Sequence, residues 1–208
     1  MFKNIVILAS GGGTNLQALI DAQAQGKLGG GVIAGVIASK PDAYALTRAE
    51  LAGIKTFVVP RENYPDRAVF TQAILDALAG FKADLVVLAG FNFILSPQFT
   101  ETYHNRVLNV HPSLIPAFCG DGYYGMKVHK AVLKSGVKLT GATVHFVSEV
   151  CDGGPIIMQK AIPVLPLDTP ETLQRRVMEQ CEWDILPRAA ALFCQGRLKV
   201  LKNKVFIT

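Results

Sequence analysis

Apolar runs unbroken by polar residues recur along the first half of this chain, and stretches of helical periodicity separate them. Ile5 to Ala9 (IVILA) contain no polar side chain at all. A strand with one wet face alternates apolar and polar residues, so a strand apolar at every position is buried on both faces. That is the signature of a parallel sheet covered by helices on each side. The same reading places strands at Val32 to Ala38, Lys55 to Val59, ADLVVLAG (83–90) and RVLNV (106–110). Between them we expect helices over 14–25, from Pro41 to about Ala52, and over 66–79, the last with Ala68, Val69, Ile74, Leu75 and Leu78 as its apolar positions. Strands alternating with helices predict an α/β fold, a doubly wound, mostly parallel, Rossmann-like sheet with right-handed crossovers.

The pattern changes in the second half. After a helix from about Met126 to Lys134, KLTGATVHFV and GPIIMQKAIPV read as two strands in close succession, predicting an antiparallel pair at or beyond the sheet edge. Thr169-Pro170 has the composition of a helix start, Thr as cap and Pro at the first helical position. The long helix it opens would bury Leu173, Val177, Cys181 and Ile185 along one stripe. RLKVLKNKVFIT reads as a short hairpin. No repeat, low-complexity tract or Pro/Gly linker divides the chain, so residues 1–208 are expected to form a single domain, long enough to bury a substantial core.

Several function classes are disfavoured. Half the residues are hydrophobic and 18% are charged, which excludes a disordered chain. The net charge of +5 suits anionic small molecules or an ordinary basic surface. Lys199, Lys202 and Lys204 cluster without interleaved aromatic residues, so no nucleic-acid partner is expected. The apolar run before Gly11 is too short for a signal or a membrane span, and no later run reaches the roughly 18 residues a span requires. Cys119, Cys151, Cys181 and Cys194 form no C-x-x-C pair, which predicts buried, reduced thiols in a cytoplasmic protein rather than a zinc or thioredoxin-type site. His104, His129 and His145 have no metal-ligand spacing, so no metal is expected.

Three short stretches have the chemistry of a site. SGGGTN (Ser10 to Asn15) follows the first strand and opens a helix, where backbone amides and the helix dipole favour an anion. It lacks the third glycine of a dinucleotide loop and the lysine of a P-loop, which points to a single phosphate. A tight strand-to-helix turn explains the same glycines. In LNVHPS, Asn109 and His111 are two apart on a strand and so project to the same side, at the carboxyl end where open α/β sheets bind ligands. Pro112 then keeps His111 extended. An amide donor beside an imidazole suits an oxyanion, though a lone His at a strand end is often structural. In CDGGP, Asp152 sits in a turn composition. Brought to His111 it would orient the ring; otherwise it is a turn residue. No G-x-S-x-G or Cys-His nucleophile stands out.

Taken together, ILASGGGTNLQALI, LVVLAGFNFILSP, LNVHPSLIPAF and GATVHFVSEVCDGGPIIMQ resemble the glycinamide ribonucleotide formyltransferase family of purine biosynthesis, in order from residue 4 to about 200. The resemblance implies that the chain transfers the formyl group of 10-formyltetrahydrofolate, a co-substrate, to the amine of glycinamide ribonucleotide. It implies a phosphate-binding half over about 1–105 and a catalytic, folate-binding half over 106–208. Gly13, Thr14 and Asn15 would hold the substrate phosphate and Glu182 its amine, with Glu179 as the rival glutamate. Arg67, Asn92, Phe93, Ile94 and Leu95 would meet the folate, together with Asn109, Ser148, Glu149, Val150, Cys151 and Asp152. Asn109, His111 and Asp152 would be the catalytic trio, in a monomer or homodimer whose other partners are small molecules, not membranes. Phe93 stands where a basic residue is common, AFCGDGYYG (Ala117 to Gly125) replaces a shorter loop, and Glu182-Trp183 stands for Glu-His, one residue later than usual after Val177. The rivals are a formyltetrahydrofolate hydrolase, which would carry an N-terminal regulatory domain before a first strand that here begins almost at Met1, and a non-catalytic nucleotide-binding module. A methionyl-tRNA formyltransferase would need an RNA-binding domain beyond 208 residues.

Overall fold

A computed structural model describes residues 2–208. The apolar runs become the centre of a seven-stranded sheet in the order β3-β2-β1-β4-β5-β6-β7. Its first five strands are β1 (Lys3–Ala9), β2 (Gly31–Ala38), β3 (Thr56–Val58), β4 (Leu85–Leu88) and β5 (Val107–His111), all parallel. β6 (Leu139–Phe146) runs antiparallel to β5, and β7 (Ile156–Pro163) antiparallel to β6. The unbroken hydrophobicity of β1 is explained by its two faces. Ile5, Ile7 and Ala9 enter one core cluster, Val6 and Leu8 the other, and all five are fully buried. Each aliphatic side chain so buried contributes about 1.5–3 kcal/mol.

Helices α1 (Thr14–Ala24), α2 (Tyr44–Leu51), α3 (Arg67–Gly80), α4 (Pro97–Thr102), α5 (Met126–Ser135), α6 (Pro170–Val177) and α7 (Trp183–Cys194) cover the sheet. The strands and the antiparallel pair follow the sequence reading; several helices correct it. α2 begins at Tyr44, not Pro41, and the short α4 is unforeseen. α3 buries Ile74, Leu75 and Leu78 as expected, but Ala68 and Val69 lie on the wet side of its first turn, and Phe70 and Thr71 are buried in their place. The long C-terminal helix is broken: a π-helical turn, Met178–Glu182, separates α6 from α7. Residues four apart drift by about 40° per step on a regular α-helix. The wider turn absorbs that drift, so Leu173, Val177, Cys181 and Ile185 all stay buried. The expected hairpin is β8 (Leu198–Leu201) with β9 (Lys204–Ile207). Of the four thiols only Cys181 is buried; Cys119 and Cys194 are half-exposed and Cys151 is exposed, because two of them stand on loops rather than in the core.

β1 is flanked by β2 on one side and β4 on the other, so chain connections leave its carboxyl end in opposite directions and open a crevice there. The turn between β6 and β7 starts near the other end of β5, where the Val147 N–H donates to Val107 O, and folds back to bring Asp152 to Asn109 and His111. It is held tightly: a Cβ on Gly154 would lie 1.8 Å from the Phe146 carbonyl oxygen. We expect Gly154→Ala to lower unfolding stability by about 1–3 kcal/mol, the ordinary cost of overpacking. Urea unfolding checks this, and an unchanged midpoint would show that the turn is free to shift.

Candidate active site

The site is assembled where β1, β4 and β5 end. Ser10 fastens three of the loops there: its N–H donates to Gly90 O (3.1 Å), and its Oγ accepts from the Ser39 hydroxyl (2.7 Å) and the Asn92 N–H (3.1 Å). Next to it, Gly13 holds the left-handed backbone (φ 71°) that starts α1, where a Cβ would lie 2.8 Å from Ala45 Cα. No side chain caps α1 and no acid lies in its first turn, so its amides suit an anion. Arg48 of α2 adds positive charge, donating through Nε to Gly12 O (2.9 Å) and through Nη1 to Gln17 Oε1 (3.0 Å). Sequence reasoning missed Arg48; only the packing of α2 beside the loop reveals it.

The side chains of Thr14 and Asn15 turn away from that anion position, toward the π-helical turn. Thr14 Oγ1 contacts Met178 Sδ (3.8 Å), and Asn15 Nδ2 donates to Glu182 Oε2 (2.7 Å). What these residues offer a phosphate is therefore backbone N–H, while their side chains line the next subsite. Glu182 is only 6% exposed, and burial pushes its carboxyl up to about 7 against the opposing pull of the Asn15 hydrogen bond. Asn15 Oδ1 is buried with no hydrogen-bond partner. An unpaired acceptor beside a desolvated carboxylate forms a receptor for a hydrogen-bond donor bearing positive charge. Glu179 is exposed, as its offset from the buried stripe predicts.

At the end of β5, Asn109 and His111 point to one side and Asp152 meets both. Asp152 Oδ2 lies 3.4 Å from His111 Nδ1, and Asp152 Oδ1 lies 3.5 Å from Asn109 Nδ2. Asp152 adopts a left-handed backbone (φ 54°), which Asp and Asn tolerate better than other side chains. Burial alone would raise its carboxyl. Hydrogen bonding from His145 and from the Gly120 N–H (2.9 Å), with the charges of His111 and His145, outweighs burial and holds it below its ordinary value. His145, which sequence reasoning passed over, is the fourth member. β6 pairs it with Asn109, and its Nε2 lies 3.2 Å from Asn109 Nδ2 and 3.5 Å from Asp152 Oδ1. Its Nδ1 faces the Phe146 carbonyl (2.9 Å), which only accepts, so Nδ1 carries a proton; Nε2 accepts from the Asn109 amide in the neutral ring and donates to Asp152 in the charged one. The 117–125 loop closes over the group: His111 Nε2 donates to Phe118 O at 2.8 Å.

The segments expected to meet a folate lie side by side. Phe91, Phe93, Leu95 and Val147 pack on one core cluster, which joins the 91–95 loop to the 147–152 turn. The Phe93 ring stacks edge-on against Phe70 and Phe91, so it supports this wall from within, whereas Asn92 and Ile94 are exposed. Glu149, Val150 and Cys151 form an exposed rim, with the Ser148 hydroxyl donating to Val150 O (3.1 Å). Exposed Arg67 opens α3, one turn from Thr71, whose hydroxyl donates to Arg67 O (2.7 Å) and accepts from Ser96 N–H (2.9 Å).

Known proteins resemble this chain over nearly its whole length. The family model described as formyl transferase matches residues 3–190. Phosphoribosylglycinamide formyltransferase of Haemophilus influenzae is 40% identical over 205 residues, which cover 99% of this chain and 93% of that protein. The crystal structure of glycinamide ribonucleotide transformylase 1 from Symbiobacterium toebii superposes with a TM-score of 0.93 at 41% identity, covering 99% of this chain and 94% of that one. A formyltetrahydrofolate deformylase from Pseudomonas syringae is more distant in sequence, 30% identical with a TM-score of 0.89, and this chain covers 66% of it.

Glu182 has a consequence for stability. Its carboxyl rises from 4.5 to about 7 on folding, so the folded protein binds the proton more tightly and stability falls as pH rises through that window. We expect Glu182→Gln to be more stable than the parent at pH 8 by on the order of 1–3 kcal/mol, with the difference gone at pH 4.5. Urea unfolding at both pH values tests it; equal or lower stability at pH 8 would mean the carboxylate is not desolvated.

Proposed function

The chain belongs to the formyl transferase family, and from that premise we propose that its crevice carries the formyl group of 10-formyltetrahydrofolate to the amine of glycinamide ribonucleotide, a step of purine biosynthesis. The observation that carries the proposal is the convergence of Asn109 and His111 on the Asp152 carboxylate at the end of β5. In this reading the amides of Gly13, Thr14 and Asn15 hold the substrate phosphate, with Arg48 adding charge. Glu182 and the unpaired Asn15 Oδ1 receive the amine. The folate lies along Asn92 to Leu95 and Ser148 to Asp152, with Arg67 at its outer end. The phosphate loop lies in the half up to about 105 and the catalytic trio in 106–208, while the folate draws on both, through Arg67 and Asn92 to Leu95 in the first and Ser148 to Asp152 in the second. The reading includes small molecules as the only partners, no metal, and the cytoplasm as compartment.

The amine attacks the formyl carbon, and the carbonyl oxygen becomes an oxyanion. Asn109 and protonated His111 are placed to stabilise it, in a pocket where positioned donors act more strongly than in water. Asp152 orients His111 and, being ionised, balances the charge on the ring. A proton from the attacking nitrogen passes to the folate nitrogen, which leaves. Glu182, poised near neutral, can take the first proton of a bound ammonium and so free the nitrogen to attack.

An absorbance assay for deformylated folate separates the readings. Turnover that requires glycinamide ribonucleotide supports the transferase, turnover without amine would select the hydrolase, and no turnover a binding module. Glu182→Gln is expected to raise the Michaelis constant for glycinamide ribonucleotide, with Glu179→Gln near neutral; the opposite pattern would reverse the assignment. Asp152→Asn keeps a residue that tolerates the left-handed backbone, so the fold should persist while kcat falls by on the order of 10²-fold or more. Near-native turnover in that folded variant would remove Asp152 from the mechanism.

A further inference from the structure

Two thiols flank the contact that closes this site. Cys119 lies between Phe118, whose carbonyl accepts from His111 Nε2 (2.8 Å), and Gly120, whose amide donates to Asp152 Oδ2 (2.9 Å). Cys151 immediately precedes Asp152. Both cysteines line one cavity of about 720 Å³, together with Pro116, Val150, Asp152 and Lys204 of β9. Neither belongs to the core, and the Cys119 thiol has only a weak contact with Pro116 O (3.3 Å). Burial, the charges of Asp152 and Asp121, and finally Cys119 itself push the Cys151 thiol up. The remaining cysteines are elsewhere: Cys181 lies in the buried stripe, and Cys194 faces Gly31 at the start of β2.

We propose that Cys119 and Cys151 form a reversible disulfide that pins the 117–125 loop onto His111 and Asp152 and stops transfer. The proposal rests on reading those two residues as catalytic. While Phe118 O occupies His111 Nε2–H, that nitrogen cannot serve a substrate oxygen, so the loop must move during turnover. A bond from Cys119 to Cys151 joins the loop to the turn carrying Asp152 and holds the closed state. The oxidant is a low-molecular-weight disulfide. One protein thiolate attacks it, forms a mixed disulfide and releases one small thiol; the second protein thiolate attacks the mixed disulfide and releases the other. Two protein thiols are oxidised, one small disulfide is reduced to two thiols, and two protons pass to the leaving thiolates. Burial and Asp152 disfavour both protein thiolates, so the exchange quickens as pH rises.

The test treats the purified full chain with oxidised glutathione at pH 8.5, alkylates the remaining thiols, and maps peptides by mass spectrometry beside the transfer assay. We expect a 119–151 cross-linked peptide and a loss of activity on the order of 10²-fold, the contribution of a positioned acid–base group, with recovery under dithiothreitol. Cys119→Ser is expected to keep its own reduced-state rate after the same treatment. The switch is overturned if no such peptide forms, if only glutathione adducts appear, if the cross-linked enzyme stays active, or if Cys119→Ser is inactivated equally. A reduced protein without any transfer activity defeats the functional reading, and the switch with it. An active reduced protein that fails the peptide map defeats the switch alone.

Discussion

A buried carboxylate needs partners, and the functional half of this molecule is arranged around the partners of Asp152. It takes a hydrogen bond from a loop amide and lies beside two imidazoles and an amide from two different strands. Those strands are β5, the last parallel strand, and β6, the first antiparallel one. The antiparallel register sets His145 directly opposite Asn109. β6 ends at Phe146, opposite Leu108 on the amino side of Asn109, and the β6–β7 turn folds back from there so that Asp152 lies beside both Asn109 and His111. The close packing of Gly154 against Phe146 O and the left-handed backbone at Asp152 fix that return.

Glu182 shows the opposite balance. Asp152 is stabilised by its surroundings, while Glu182 is held in a place that disfavours its charge, with one hydrogen bond from Asn15. A carboxylate left short of partners is ready for a donor from outside, and the vacant Asn15 acceptor beside it has the same need. The π-helical turn is the device that presents Glu182 inward while the flanking helices keep their apolar stripe buried. Local irregularity and the proposed amine site coincide there, as π turns and functional sites often do.

The 117–125 loop connects these parts to motion. Its Phe118 carbonyl and Gly120 amide satisfy His111 and Asp152, the groups proposed above to act on the substrate. Pairing these buried polar groups within the chain spares them the cost of an unsatisfied donor or acceptor.

The amino-acid pattern by itself determined the parallel strands, most firmly β1, because a strand apolar at every position is buried on both faces. It determined the antiparallel pair and the hairpin, the extended Asn109–His111 pair held by Pro112, and the Glu182 carboxylate beside the stripe of Leu173 and Val177. Those features depend on local periodicity and on backbone preferences of nearby residues. Tertiary structure alone decided which distant groups meet. Arg48 reaches the glycine loop only through the packing of α2. His145 faces Asn109 only through the register of β6, and a one-residue slip would turn it to the other face. The side chain of Asn15 serves Glu182, 167 positions away, rather than its own loop. Phe93 is drawn into the core by Phe70 and Phe91, and the exposure of Cys119 and Cys151 follows from loops whose course no periodicity encodes. Periodicity reports burial along one element, whereas a site depends on how elements pack, and that is settled only when the whole core closes.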